Sequence, residues 1–128
     1  MTTLGVGVDI VDVPRFALAL QRHPAIVDRL FTEGELADAK LRPERLAARF
    51  AAKEAVLKTL RVGFGAAPWK SIEICRDASG APSVLLHDAA AQLAAQQGVE
   101  TLHVSLSHSQ LTAAAFVVGS SKDNNLAR

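Results

Sequence analysis

Pro43-Glu-Arg-Leu-Ala-Ala-Arg-Phe-Ala-Ala-Lys-Glu-Ala-Val-Leu-Lys-Thr-Leu60 reads as the longest helix of the chain. It opens with a proline in its first turn, where the missing N–H costs nothing, and it stops before the Gly63-Phe-Gly65 turn. Leu46, Phe50, Leu57 and Leu60 form one apolar stripe, with Val56 on its flank. Past the glycines the hydrophobic period changes from that of a helix to that of a strand. Ser71-Ile-Glu-Ile-Cys-Arg76 alternates, Asp77-Ala-Ser-Gly80 is a turn, and Pro82-Ser-Val-Leu-Leu86 is a second strand, so the pair reads as a hairpin. A long helix followed by antiparallel strands predicts an α+β domain, with a mainly antiparallel sheet and the helix packed on it.

Leu4-Gly-Val-Gly-Val-Asp-Ile-Val11 is a short buried strand, after which Asp12 caps a helix that carries Pro14 in its first turn and runs to about Arg22. Thr32 and Glu35 form a capping box that opens a short helix through Ala39 or Lys40. On the C-terminal side, Asp88 is expected to cap an alanine-rich helix that Gly98 ends. Thr101-Leu-His-Val-Ser-Leu106 and Thr112-Ala-Ala-Ala-Phe-Val-Val118 are two more strands. The expected organisation is one domain over residues 1–119, with residues 120–128 as a frayed C-terminal tail.

With 128 residues, 49% hydrophobic and 21% charged, the chain is long enough to bury a core, and its composition excludes a disordered protein. Six aromatics and no tyrosine disfavour a stacking platform for single-stranded nucleic acid. Cys75 is the only cysteine, so no internal disulfide is possible. Asp9 comes too early for a secretory signal, no apolar run approaches the ~20 residues that span a bilayer, and a cytoplasmic location is expected. The net charge of +1 hides an asymmetry: residues 40–61 carry +5 and the remainder −4. A locally positive segment in a near-neutral protein suits a compact polyanion or an acidic partner better than duplex nucleic acid, although a solvated helix face has the same signature.

Two charges break the pattern of the long helix. Lys53 falls in the middle of the apolar stripe, and Arg49 lies between Val56 and Leu60. A lone buried ammonium costs several kcal/mol, so these residues either snorkel to water or meet partners. Glu54 and Lys58, one turn apart beside the small Ala47 and Ala51, make either a surface ion pair or a site with room for a ligand. A carboxylate and an ammonium in that arrangement suit magnesium and phosphate. Asp9, which interrupts an apolar strand, is the best second carboxylate. It could instead accept backbone N–H groups, but Asp12 is better placed for capping. Residue 11 is Val, so any metal here has two protein carboxylates and completes its shell with water and phosphate.

Other motifs mainly exclude. Gly5-Val-Gly7 and Gly63-Phe-Gly65 each begin a G-x-G, but Ile10 and Pro68 stand where a dinucleotide fingerprint needs its third glycine, and no P-loop occurs. Gly63 and Gly65 either allow close backbone approach to a ligand or simply end the helix. In His103-Val-Ser-Leu-Ser-His108, alternation sends His103, Ser105 and Ser107 to one face. A hydrolase triad and a zinc site both lack the required geometry or spacing, which leaves pocket lining or plain exposure.

Taken together, Gly5-Val-Gly-Val-Asp-Ile-Val-Asp-Val-Pro-Arg15-Phe, Arg49-Phe-Ala-Ala-Lys-Glu-Ala-Val-Leu-Lys58, the Gly63-Phe-Gly65 turn with Trp69-Lys-Ser-Ile-Glu-Ile, Gly80-Ala-Pro82 and His103-Val-Ser-Leu-Ser-His108 closely resemble the holo-acyl-carrier-protein synthases, the small bacterial type of 4′-phosphopantetheinyl transferase. The resemblance runs from about Leu4 to Val118 in order and spacing. It implies Mg2+-dependent transfer of 4′-phosphopantetheine from coenzyme A to a serine of apo acyl carrier protein, releasing adenosine 3′,5′-bisphosphate in support of fatty acid biosynthesis. It also implies a homotrimer with sites at subunit interfaces.

Carried over by position, Asp9 and Glu54 are the metal ligands and, with Lys58 on the pyrophosphate, the catalytic set. Arg45, Arg49, Gly63, Phe64, Gly65, Pro82 and His108 line the coenzyme A pocket, with the Gly80-Ala-Pro82 turn near the adenine. Arg15 and Arg22 face the acidic carrier. The chain departs from the family at Arg61, where glycine is usual, and at Asp12, where glutamate is. Arg61 either closes the helix or contacts a phosphate. The proton of the attacking serine goes to a metal-bound water or to Glu54. The competing classes are a magnesium-dependent nucleotide hydrolase and a non-catalytic module that binds a polyanion.

Overall fold

The computed structural model describes residues 1–122. In chain order the elements are β1 (Thr2–Asp12), α1 (Val13–Arg22), α2 (Ala25–Leu30), α3 (Glu33–Ala39), α4 (Pro43–Thr59), β2 (Ile72–Arg76), β3 (Pro82–Leu86), α5 (Asp88–Gln97), β4 (Thr101–His108) and β5 (Thr112–Ser121). All strand pairing is antiparallel: a three-stranded sheet in the order β1-β5-β4 and a separate β2-β3 hairpin.

Local chemistry explains the boundaries. The Asp12 side chain accepts the Arg15 N–H at 2.9 Å and starts α1 with proline in its first turn. The capping box of α3 is complete, the Thr32 hydroxyl accepting from Glu35 N–H and the Glu35 carboxylate accepting from Thr32 N–H. Lys40 and Leu41, both at positive φ (52° and 58°), turn the chain from α3 into α4. Leu60 caps α4, and Arg61 follows in the left-handed region at φ 60° with its guanidinium donating to the Leu4 carbonyl at 3.3 Å.

One element goes beyond the sequence expectations and two expectations are corrected. Residues 25–30 form an additional short helix, with Pro24 just before its first turn and no polar cap to announce it. Asp88 is the first residue of α5 rather than its cap; His87 holds the cap position without a side-chain hydrogen bond, and Asp88 adopts φ 44°. The tail does not begin at residue 120: β5 continues to Ser121, and the buried Ser120 pairs with Thr3 and Thr101. Residues 123–128 lie outside the described residues.

α4 is the centre of the packing. Its buried Ala51, Ala52, Ala55, Val56 and Leu57 join Ile72, Ile74, Ala115 and Val117 in one core, and its Leu46, Ala47 and Ala48 join Val13, Phe16, Leu30 and Phe31 in a second. Phe50 links Phe16 and Trp69, with ring centroids 5.3 and 5.2 Å away. The other face of the three-stranded sheet leaves Val6, Val8, Ile10 and Phe116 exposed. Among the described residues no helix is long and apolar enough to cross a membrane.

Candidate active site

The period of β1 sends Gly5, Gly7, Asp9 and Val11 toward α4. The glycines permit the close approach: a Cβ at Gly5 would lie 2.3 Å from the Thr59 carbonyl oxygen, and one at Gly7 2.1 Å from that of Ala55. Two residues further along β1, Asp9 therefore meets the turn of α4 that carries Glu54 and Lys58. Lys58 Nζ donates to Asp9 Oδ1 at 3.2 Å and to the Val8 carbonyl at 3.0 Å. The Glu54 carboxyl lies close enough to that of Asp9 for the two to influence each other's charge. Burial and then the adjacent Asp9 push the Glu54 carboxyl up to about 7, against the opposing pull of Lys58.

This arrangement suits a divalent cation. Asp9 Oδ2 is buried and has no hydrogen-bond partner, and two carboxylates in contact repel unless a proton or a cation lies between them. Among the described residues no group of three or more His, Cys, Asp or Glu side chains is placed to hold a metal, so this pair would complete an ion's shell with water and substrate oxygens. One sequence argument for the site does not hold. Ala47 and Ala51 are fully buried in the cores, so their small size admits protein rather than a ligand. The ion pair at this helix position is also different, since Lys58 bonds Asp9 and not Glu54.

A second feature is a cavity of about 260 Å³ where α4, the hairpin and β4 meet. Arg45 and Arg49 contribute from α4, Arg76, Gly80 and Pro82 from the hairpin, and Ser105 and His108 from β4. Four of the residues expected at coenzyme A are thereby brought together: Arg45, Arg49, Pro82 and His108. With Arg76 among them, the lining is strongly cationic. This cavity shares no residue with the Asp9, Glu54, Lys58 group.

Residues 5–116 match the family model described as the 4′-phosphopantetheinyl transferase superfamily. The chain belongs to this superfamily. A holo-[acyl-carrier-protein] synthase of Moorella thermoacetica is 47% identical over 118 residues, covering 90% of this chain and 92% of that protein. The Neisseria meningitidis holo-[acyl-carrier-protein] synthase structure superposes with a TM-score of 0.83 at 33% identity, covering 94% of this chain and 99% of that one. The Helicobacter pylori enzyme, solved in complex with coenzyme A, superposes with a TM-score of 0.82 at 29% identity, covering 90% of this chain and 99% of that one.

Other residues singled out in this superfamily member fall apart in space. Gly63, Phe64 and Gly65 form an exposed loop that joins neither the acidic pair nor the cavity; the Phe64 ring rests on Trp69 at 5.6 Å. Arg15 and Arg22 are exposed on α1. Beside that helix runs a largely apolar groove of about 600 Å³, lined by residues that include Leu18, Leu20, Val27 and Leu41.

The two misplaced cations of α4 both meet partners instead of snorkelling. Lys53 is fully buried; its ammonium donates to Glu35 Oε1 at 2.8 Å, to the Trp69 carbonyl at 3.0 Å and to the Ile72 carbonyl. Glu35 Oε2 in turn accepts the Ile74 N–H at 2.9 Å. Burial lowers the Lys53 pKa, and Glu35 opposes the shift. This network ties the hairpin to α3 and α4 and is structural. Arg49, also buried, pairs with Asp38. The mismatch between charge and stripe at Lys53 and Arg49 shows that partners are needed, but no pattern along the chain points to Glu35 or Asp38.

Proposed function

We propose that this chain is a holo-[acyl-carrier-protein] synthase that transfers 4′-phosphopantetheine from coenzyme A to a serine of apo acyl carrier protein. The observation that carries the reading is the meeting of Asp9 with Glu54 beside Lys58 in a chain of this superfamily. Asp9 and Glu54 would hold Mg2+, which when bound neutralises charge on the pyrophosphate. Lys58, more than half exposed, turns its ammonium to the phosphate oxygens.

In the reaction the serine oxygen forms a bond to the phosphorus that carries pantetheine. The bond from that phosphorus to the bridging oxygen breaks, and the bridging oxygen leaves with adenosine 3′,5′-bisphosphate. The serine proton is taken up by a base, for which Glu54 would be the chain's own candidate through an oxygen not held by the ion. The protein's work is placement and charge: Lys58 at the pyrophosphate, and Arg45, Arg49 and His108 at the remaining phosphate of the adenosine half, with Pro82 against the adenine. Gly63, Phe64 and Gly65, exposed in the single chain, would contribute to the coenzyme A pocket in the assembly.

The active assembly on this reading is a homotrimer built through the apolar sheet face of Val6, Val8, Ile10 and Phe116. A substrate that reaches both the acidic pair and the cationic cavity then lies between two copies. Arg15 and Arg22, flanking the α1 groove, receive the acidic carrier. Work in the cytoplasm in fatty acid synthesis completes the proposal.

The test is to incubate the chain with coenzyme A, magnesium chloride and apo carrier protein and to weigh the carrier by mass spectrometry. A carrier heavier by one phosphopantetheinyl group is expected. Breakdown of coenzyme A without a carrier would instead identify a hydrolase, and no chemical change would leave only a polyanion-binding module.

A further inference from the structure

We propose that Asp38 is a positioning residue for the phosphate-binding end of the cationic cavity, and that Arg76 is a further substrate contact there. The inference rests on the coenzyme A reading above and assigns roles to two residues outside it. A single oxygen, Asp38 Oδ2, serves both arginines: it accepts a hydrogen bond from Arg49 Nη2 and forms an ion pair with Arg76, 3.2 Å from its Nε. Asp38 comes from α3, Arg49 from α4 and Arg76 from β2, so one carboxylate joins three elements around the cavity.

The geometry divides the donors. Arg49 Nη1 donates to the Arg45 carbonyl at 3.2 Å, and Nη2 is taken by Asp38, which fixes the plane of a guanidinium that is only 3% exposed. Its Nε is buried without a partner. Arg76 turns its Nε edge to Asp38 in an ion pair, and its two terminal amino groups remain for a ligand. A guanidinium held at one edge presents the other in a defined direction, which is what bidentate recognition of a phosphate needs. Without Asp38 the two cations repel each other across the cavity, and the half-exposed Arg76 swings to solvent. Burial and the neighbouring Arg76 both lower the Arg49 pKa, and Asp38 opposes the shift.

The ligand chemistry is that of a phosphate monoester. The acidic pair with Lys58 is placed for the pyrophosphate, and coenzyme A carries one other phosphate, the 3′ group. Asp38 and Arg76 therefore set the preference for coenzyme A over its 3′-dephospho form.

The experiment measures kcat and KM of the full chain for coenzyme A and for 3′-dephospho-coenzyme A, with apo carrier protein at saturation, in the wild type, Asp38→Asn, Asp38→Glu and Arg76→Gln. For coenzyme A, Asp38→Asn and Arg76→Gln are expected to raise KM about tenfold, as loss of a charge-assisted contact does, with kcat changed less than about twofold. For the dephospho substrate the same variants should change KM less than about twofold, and Asp38→Glu should restore most of the loss. Arg76→Gln buries no unpaired charge, so it keeps the test open if Asp38→Asn folds poorly. Equal KM changes with both substrates, or none with either, overturn the inference. An inactive wild type overturns the coenzyme A reading instead.

Discussion

Gly7 faces the carbonyl of Ala55 with no space for a side chain, a Cβ there lying 2.1 Å from the oxygen. This contact sets the distance between β1 and α4, and so the distance between Asp9 and Glu54. Gly7→Ala must push backbone against backbone, since neither the carbonyl nor the strand has a flexible end that can yield. A loss of about 2–4 kcal/mol in urea unfolding is expected, together with loss of carrier modification under conditions where the variant is still folded. An unchanged midpoint would show that β1 and α4 are not held this closely.

The Glu54 carboxyl stands at about 7 in the folded chain, above the ~4.3 of an unperturbed glutamate. Between those values the folded state holds a proton that the unfolded state has lost, so stability falls as pH rises through the window. Glu54→Gln removes that loss. In the presence of a chelator it is expected to raise Tm relative to the wild type at about pH 8, with the difference gone near pH 4. Magnesium added at the higher pH should raise the wild-type Tm and leave that of the variant nearly unchanged. A wild-type Tm indifferent to magnesium removes the ion from the site.

Lys53 and Glu35 are a buried ion pair with every visible donor and acceptor engaged, and each is costly to leave alone. Lys53→Met is expected to cost about 3–5 kcal/mol, because Glu35 is left charged in the core. The double variant Lys53→Met with Glu35→Gln should recover part of that loss. Chemical denaturation of the four members of the cycle measures the coupling, and a double variant no better than the single one would show that Glu35 does not depend on Lys53.

The apolar side chains of β1 that face away from α4 make a prediction about assembly. Val8→Asp places a charge at the middle of that face, where a subunit contact would desolvate it. Sedimentation of the wild type should give a trimer and that of Val8→Asp a monomer, with coenzyme A binding lost in the monomer. A monomeric wild type that binds coenzyme A in full would confine the site to one chain.

Much of this was legible in the sequence where one residue type forces one geometry. Asp12 with Pro14, and Thr32 with Glu35, announce their helix starts because a cap needs a side-chain acceptor at a fixed offset. Asp9 was legible as a charge that interrupts an apolar strand, whereas the reading of Glu54 leaned on its spacing from Lys58 beside Ala47 and Ala51, which the fold buries. The glycines of β1 are harder to read: along the chain they begin a dinucleotide fingerprint that lacks its third glycine, whereas their spacing of two puts both on the face that α4 covers. Asp88 misled because a good capping residue stood one position late. The Ala25–Leu30 helix was silent, having neither a polar cap nor a long period. Asp38 was out of reach for a different reason, since it serves Arg49, eleven residues away, and Arg76 on another element, and pattern along the chain carries no trace of such a junction.

β1 does two jobs by parity. Its odd residues 5, 7 and 9 supply the clearance for the helix and the acid, and its even residues 6, 8 and 10 supply the greasy exterior. A slip of one position against β5 would exchange the two sets at a stroke, pressing valine and isoleucine into the helix and turning the acid outward. Chemistry and outer surface are thus locked to the same ladder of hydrogen bonds, and neither can drift without the other.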